Sequence, residues 1–219
     1  MDLPPTGKQM IIRSPRRRRT MAVQVSAGGT VTVHVPRRCS NQEVEEFLTA
    51  RRDWIERTRA RVVALHARYP KRTLTADATV PYLGTEYPLA AILNDRVDSD
   101  SGARATRLIT WYRAEALRHL TTRTHHFAAQ LGVTPTRIAV RTQHRRWGSC
   151  SPNGRIFYNW RLILCPPAVI DYVVAHEVAH LRHANHGPRF WQTVAALFPD
   201  FTAHRRWLQT DGMAFVMVV

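Results

Sequence analysis

The chain has 219 residues, 44% of them hydrophobic, with a formal charge of +16 and three cysteines. That length suits one domain, or one domain with an appendage, around a proper core. No apolar run reaches membrane-spanning length, the start at Met1–Thr6 lacks a signal-peptide stretch, and the sparse Cys39, Cys150 and Cys165 exclude a disulfide scaffold or thiolate metal cluster.

A cytoplasmic protein without a membrane partner is therefore expected. The positive charge suits anionic partners such as nucleic acid, nucleotides or acidic peptides. Lys8 and Lys71 are the only lysines, however, and the arginines are scattered from Arg13 to Arg206, which compositional bias explains equally well.

After a short polar leader, Met21–Ser26 and Thr30–Val35 alternate apolar with polar or small residues around Gly28-Gly29, the pattern of a β-hairpin. The basic run Arg16–Arg19 before it reads as a solvated approach to the strand. Ser40 and Glu43 form a capping-box signature, and Val44, Phe47, Leu48, Trp54 and Ile55 predict one long helix from Asn41 to Ala67, closed by Pro70. Val80–Leu93 predicts a second small hairpin around Leu83-Gly84, and Asp95–Arg104 a polar loop.

From Ala105 to Leu131 a helical stripe returns, with Gly132 as its stop. Arg137–Thr142 and Arg155–Ile163 read as strands, most simply an antiparallel pair, joined through Trp147-Gly148-Ser149-Cys150 and the turn Ser151-Pro152-Asn153-Gly154. Pro166-Pro167 suits the first turn of a buried helix that runs into the histidine segment. Two short helices, Phe190–Leu197 and Pro199–Thr210, follow. The apolar tail Met213–Val219 is too short to cross a membrane.

The chemistry sits in His176-Glu177-Val178-Ala179-His180, an HExxH motif on an independently predicted helix. Residues four apart share one helical face, so both imidazoles reach one ion while Glu177 is held beside it. A catalytic zinc needs a third ligand and an open position. His183 lies seven residues beyond His176, a rise of roughly 10 Å on a straight helix. His186 is favoured, because Asn185 before it tolerates the left-handed conformation that turns a chain back. No glutamate follows Glu177; Asp200 either orients a histidine or, more simply, caps the helix after Pro199.

The segments Arg145-Arg146-Trp147-Gly148-Ser149-Cys150-Ser151, Asn159-Trp160-Arg161-Leu162, Tyr172 to Glu177 and Asn185-His186-Gly187-Pro188-Arg189-Phe190-Trp191 resemble the YgjP-like metallopeptidase family. They are similar, more distantly, to the SprT-like and WLM peptidases. Arg13–Val35, Phe47–Ile55 and Trp111-Tyr112-Arg113 extend the likeness over most of the chain. The resemblance implies a zincin-type domain in which the HExxH helix packs on an antiparallel sheet and the NHxxxFW segment supplies the third ligand, a place His186 occupies. Ala179 stands where the family often has cysteine, and Gly187 where it often has serine; neither change removes a ligand.

The expectation is thus an α+β chain: a β-hairpin and long-helix region over 1–104, with substrate contact as its candidate role, and a zincin-like metallohydrolase domain over 105–219. One Zn2+ is held by His176, His180 and His186, and Glu177 takes a proton from zinc-bound water for attack on a peptide carbonyl. Arg146, His144, Tyr158 and Tyr172 are candidates for oxyanion support, each more simply structural, and Trp147 and Trp191 for packing around the metal helix. A nucleotide or phosphate-ester hydrolase using the same site is the first alternative, and a non-catalytic zinc-stabilised binding module the second.

Overall fold

Val31, Val33 and Val35 alternate with Thr32, His34 and Pro36, and this period of two becomes a strand with one fully buried face. The computed structural model describes residues 9–15, 19–26, 29–68, 72–94, 100–143 and 146–212. Arg16, Gly28, Pro70, His144, Arg145 and the 213–219 tail lie outside the described residues. The chain divides into two compact units, Met1–Lys71 and Arg72–Val219. The boundary expected at 104/105 falls inside the second. Among the described residues no helix is long and apolar enough to cross a membrane.

In the first unit, β1 (Gln9–Ser14), β2 (Ala22–Val25) and β3 (Val31–Pro36) form one sheet in the order β1-β3-β2. The expected hairpin is there, with β2 antiparallel to β3. The segment expected as a polar leader instead supplies β1, parallel to β3 in the register Ile11↔Val33. The expected single long helix is two: α1 (Asn41–Thr49) and α2 (Arg52–Arg68). The capping box holds, with Ser40 Oγ accepting from Glu43 N at 3.1 Å and Glu43 Oε2 accepting from Ser40 N at 2.6 Å. The break falls at Ala50-Arg51, where Arg51 N donates to Leu48 O at 3.1 Å, tightening the chain into a three-residue step. Val44 of α1 and Ile55 of α2 close a small core with the three valines of β3.

The second unit opens with the expected hairpin, β4 (Thr79–Tyr82) and β5 (Thr85–Pro88). Its corner needs two consecutive positive φ angles, supplied by Leu83 at 50° and Gly84 at 78°. Leu89–Leu93 then turns helical as α3, not extended as expected, and ends on Asn94 in the left-handed region. α4 (Ser101–Leu131) begins four residues before the predicted start because Asp100 caps it, accepting from Gly102 N and Ala103 N; Gly132, at φ 67°, ends it.

β6 (Arg137–Arg141), β7 (Gly148–Cys150) and β8 (Arg155–Asn159) form a sheet in the order β6-β8-β7. The expected antiparallel pairing of β6 with β8 is wrong: they run parallel, Arg137↔Arg155 to Arg141↔Asn159. The Ser151–Gly154 turn gives β8 a nearer antiparallel partner in β7, so β6 takes the opposite edge. β8 also stops before Ile163. The Asn159 side chain accepts from Arg161 N and starts a 3-10 helix, Trp160–Leu164.

Three helices complete the fold: α5 (Pro167–Ala179), α6 (Pro188–Leu197) and α7 (Phe201–Thr210). α5 packs against α4, α6, α7 and β7. It is apolar nearly all round, as expected of a helix enclosed by its neighbours. Ile170, Val174, Ala175, Val178 and Ala179 are completely buried, and each aliphatic side chain larger than alanine contributes about 1.5–3 kcal/mol. This core holds the last turn of α5 in place.

Candidate metal centre

His176 lies in the last turn of α5, and His180 is its C-cap, still right-handed at φ −67° and ψ −18°. Beyond it Leu181 N, Arg182 N and His183 N bond back to Val178 O and Ala179 O, so the chain winds in place instead of running on. Gly187 then takes the N-cap position of α6, and Pro188, with no N–H to satisfy, occupies the first turn. The result is a reversal that brings His186 back over the end of α5.

His186 Nε2 stands 3.1 Å from His176 Nε2 and 3.2 Å from His180 Nε2. Ring nitrogens bound to one tetrahedral zinc at about 2.0–2.1 Å would be roughly 3.3 Å apart, so one ion could be shared at this spacing. A ligand atom from each of the three histidines lies within 4.8 Å of the others, the one such cluster found among the described residues.

The surroundings set the tautomers. His180 Nδ1 lies 3.0 Å from His183 O; a carbonyl only accepts, so the proton sits on Nδ1 and the Nε2 lone pair is free to bind a cation. His183 enters through that backbone oxygen, while its own ring meets Thr193 Oγ1 at 2.9 Å. His176 Nδ1 is buried without a hydrogen-bond partner.

Phe190, fully buried, lies under all three imidazoles, with centroid distances of 4.9 Å to His176, 4.5 Å to His180 and 4.7 Å to His186. Trp191 stacks on His186 at 5.7 Å, and the Arg205 guanidinium lies 4.6 Å from the Trp191 ring centre. His186, on the connection between α5 and α6, thus rests on the first turn of α6. Trp191 is expected to pack around the metal helix, whereas Phe190 is given no role at the site; with His186 outside α6, no helical spacing points to the contacts of Phe190 with the imidazoles.

Burial, with the neighbouring His180, His186 and Arg205, holds the His176 imidazole down at about 3, so it is neutral around pH 7. Burial likewise lowers His180. For the carboxyl of Glu177, only 5% exposed, burial has the opposite effect and pushes it up to about 8, against the pull of Arg146. Its Oε2 is buried with no partner. An unpaired carboxyl with its titration moved into the neutral range is suited to carrying a proton.

The remaining candidates separate by position. Tyr158 is completely buried, its hydroxyl 2.9 Å from Thr124 Oγ1. Tyr172 sits edge-on to His176 at 6.0 Å, its phenol raised by burial. Arg146 is exposed. Trp147 packs against the second core. Cys150 remains a thiol, raised to about 11 by burial and the charge of Glu177. Asp200 does not cap α7: it holds the N-cap position but makes no side-chain cap bond, and its carbonyl accepts from His204 Nδ1 at 2.9 Å.

Residues 19–211 match the family model described as YgjP-like, metallopeptidase domain. No curated protein matches the chain. Among solved structures, the crystal structure of the metallopeptidase zymogen of Pyrococcus abyssi abylysin is similar, with 21% identity and a TM-score of 0.38 over 41% of this chain and 92% of that one.

Proposed function

Because the chain belongs to the YgjP-like family of metallopeptidase domains, we propose that it is a zincin-type, zinc-dependent peptidase in which His176, His180 and His186 hold one ion and Glu177 is the general base. The observation that carries this reading is the convergence of three imidazole Nε2 atoms, two pairs of them 3.1 and 3.2 Å apart, at the end of a helix whose next residue after His176, Glu177, has a buried carboxylate oxygen without a partner. An all-imidazole donor set with two neutral rings suits zinc among the divalent ions.

Zinc held there would supply Lewis acidity, polarising a scissile carbonyl and making water more acidic. The chain's own residues do the rest. His180 is oriented by its bond to His183 O, and His186 by Trp191 and Phe190. Glu177 accepts the proton of the attacking water and passes it to the departing amine. Arg146 counteracts the effect of burial on Glu177, favouring the ionised form that a base requires.

The test is metal content of protein purified without chelator, followed by cleavage of an unstructured peptide pool. Near one zinc per chain is expected, with a clear loss in His186→Ala. Glu177→Gln should keep the metal and lose about 100-fold or more in cleavage. Zinc-loaded protein that leaves peptides intact and releases phosphate or pyrophosphate from nucleotides would replace this reading with a nucleotide hydrolase. Cellular activity indifferent to Glu177→Gln would make the chain a binding module.

A further inference from the structure

Gly148 opens β7 opposite Tyr158 of β8. Its φ is not in the left-handed region, so backbone conformation does not call for glycine there. Space does. A Cβ at this position would stand 2.6 Å from Glu177 Cγ and 2.7 Å from Cδ, and nearer still to Oε1, where carbon atoms in contact normally keep about 3.5–4.0 Å. Glu177 has little room to step aside, because its helix is enclosed and the residue is 5% exposed. Two residues on, Cys150 shares the face of β7 that Gly148 presents to Glu177.

We propose that Gly148 is a positioning residue for the Glu177 carboxylate: the side chain missing from β7 is the space that the carboxylate occupies, and it sets where that group rests beside the three histidines. A methyl group there forces the carboxylate out of register with the histidines while leaving the histidines themselves untouched. The catalytic consequence rests on the reading of Glu177 as base; the contact itself does not.

Two measurements test this. In metal-free protein, Gly148→Ala should lower Tm by about 4 °C or more, and should cost little in a Glu177→Ala background, where the space is vacant. In zinc-loaded protein, Gly148→Ala should keep its metal and its KM while kcat falls about tenfold or more. The same change should cost less in a Glu177→Asp background, where the side chain is one methylene shorter. An equal loss of Tm in both backgrounds would mean that the glycine serves strand pairing, and an unchanged kcat that the carboxylate is not held by it; either overturns the proposal. A wild type that cleaves no peptide would defeat the peptidase reading, while the Tm cycle would still decide the contact.

Discussion

Arg123 of α4 grips Asp171 of α5 through two parallel hydrogen bonds, Nε to Oδ1 at 2.6 Å and Nη2 to Oδ2 at 2.9 Å. The fork fastens the helix that carries His176 five residues further on. Both side chains are partly exposed, 28% and 20%, so solvent screening reduces the pair's contribution. Asp171→Ala should cost about 1–2 kcal/mol in thermal or urea unfolding. Arg123→Ala combined with it should add less than its separate effect, the signature of a direct pair.

His183→Ala should retain the metal, because the atom that orients His180 is the His183 carbonyl and survives the substitution. The lost bond to Thr193 should cost about 1 kcal/mol. Direct metal analysis of this variant beside His186→Ala decides the third ligand; equal loss of zinc in both would refute the assignment.

The metal-free protein should lose stability as pH rises from 6.5 to 8. Glu177 titrates at about 8 in the folded chain against an ordinary 4.5, so between those values the folded state keeps a proton that the unfolded state has released. His176, held at about 3 against 6.5, acts in the opposite sense and weakens the fold only as pH falls below 6.5. Above that pH the Glu177 contribution stands without it, with a full size of order a few kcal/mol. Glu177→Gln should therefore melt higher than wild type at pH 8.5 and show a flatter profile between 6.5 and 8. Parallel profiles for the two proteins would contradict the burial account.

Thr124→Val should destabilise more than Tyr158→Phe. Thr124 Oγ1 donates to Leu120 O at 2.6 Å, so the Tyr158 hydroxyl must donate to Thr124. Removing the acceptor strands a completely buried phenol, at about 1–3 kcal/mol, whereas removing the phenol leaves Thr124 still bonded. Neither change should alter kcat, since Tyr158 lies in the core; a large loss in Tyr158→Phe would place it in the reaction after all.

What the sequence made readable was local. The Ser40–Glu43 capping box, the glycine ending α4 and the Leu83-Gly84 corner each depend on a few adjacent residues. The shared face of His176 and His180 follows from their spacing; the reversal before His186 is expected from a left-handed Asn185, but Asn185 is not among the described residues with positive φ, and the turn is made instead by Leu181, Arg182 and His183 bonding back to Val178 and Ala179. What stayed hidden depends on distant partners. The parallel course of β6 and β8 is decided by which strand reaches β8 first, and the break at Ala50-Arg51 carries no proline or glycine to announce it. Phe190 beneath three imidazoles and Glu177 above Gly148 are contacts between elements, visible only once α6 and β7 are placed against α5.

The parallel strand at the start of the chain bears on how the protein can be shortened. Residues 19–211, the stretch that matches the family model, leave out β1. Without β1, one whole edge of β3, the strand whose valines build the first core, would present unpaired amides and carbonyls, the usual template for strand-to-strand association. β1 itself leaves Met10, Ile11 and Ile12 at 48%, 48% and 39% exposure, and so acts as a cover whose own outer surface is apolar. A version trimmed to the family match should be more prone to aggregate than one that begins before Gln9, even though every residue of the candidate metal centre is retained.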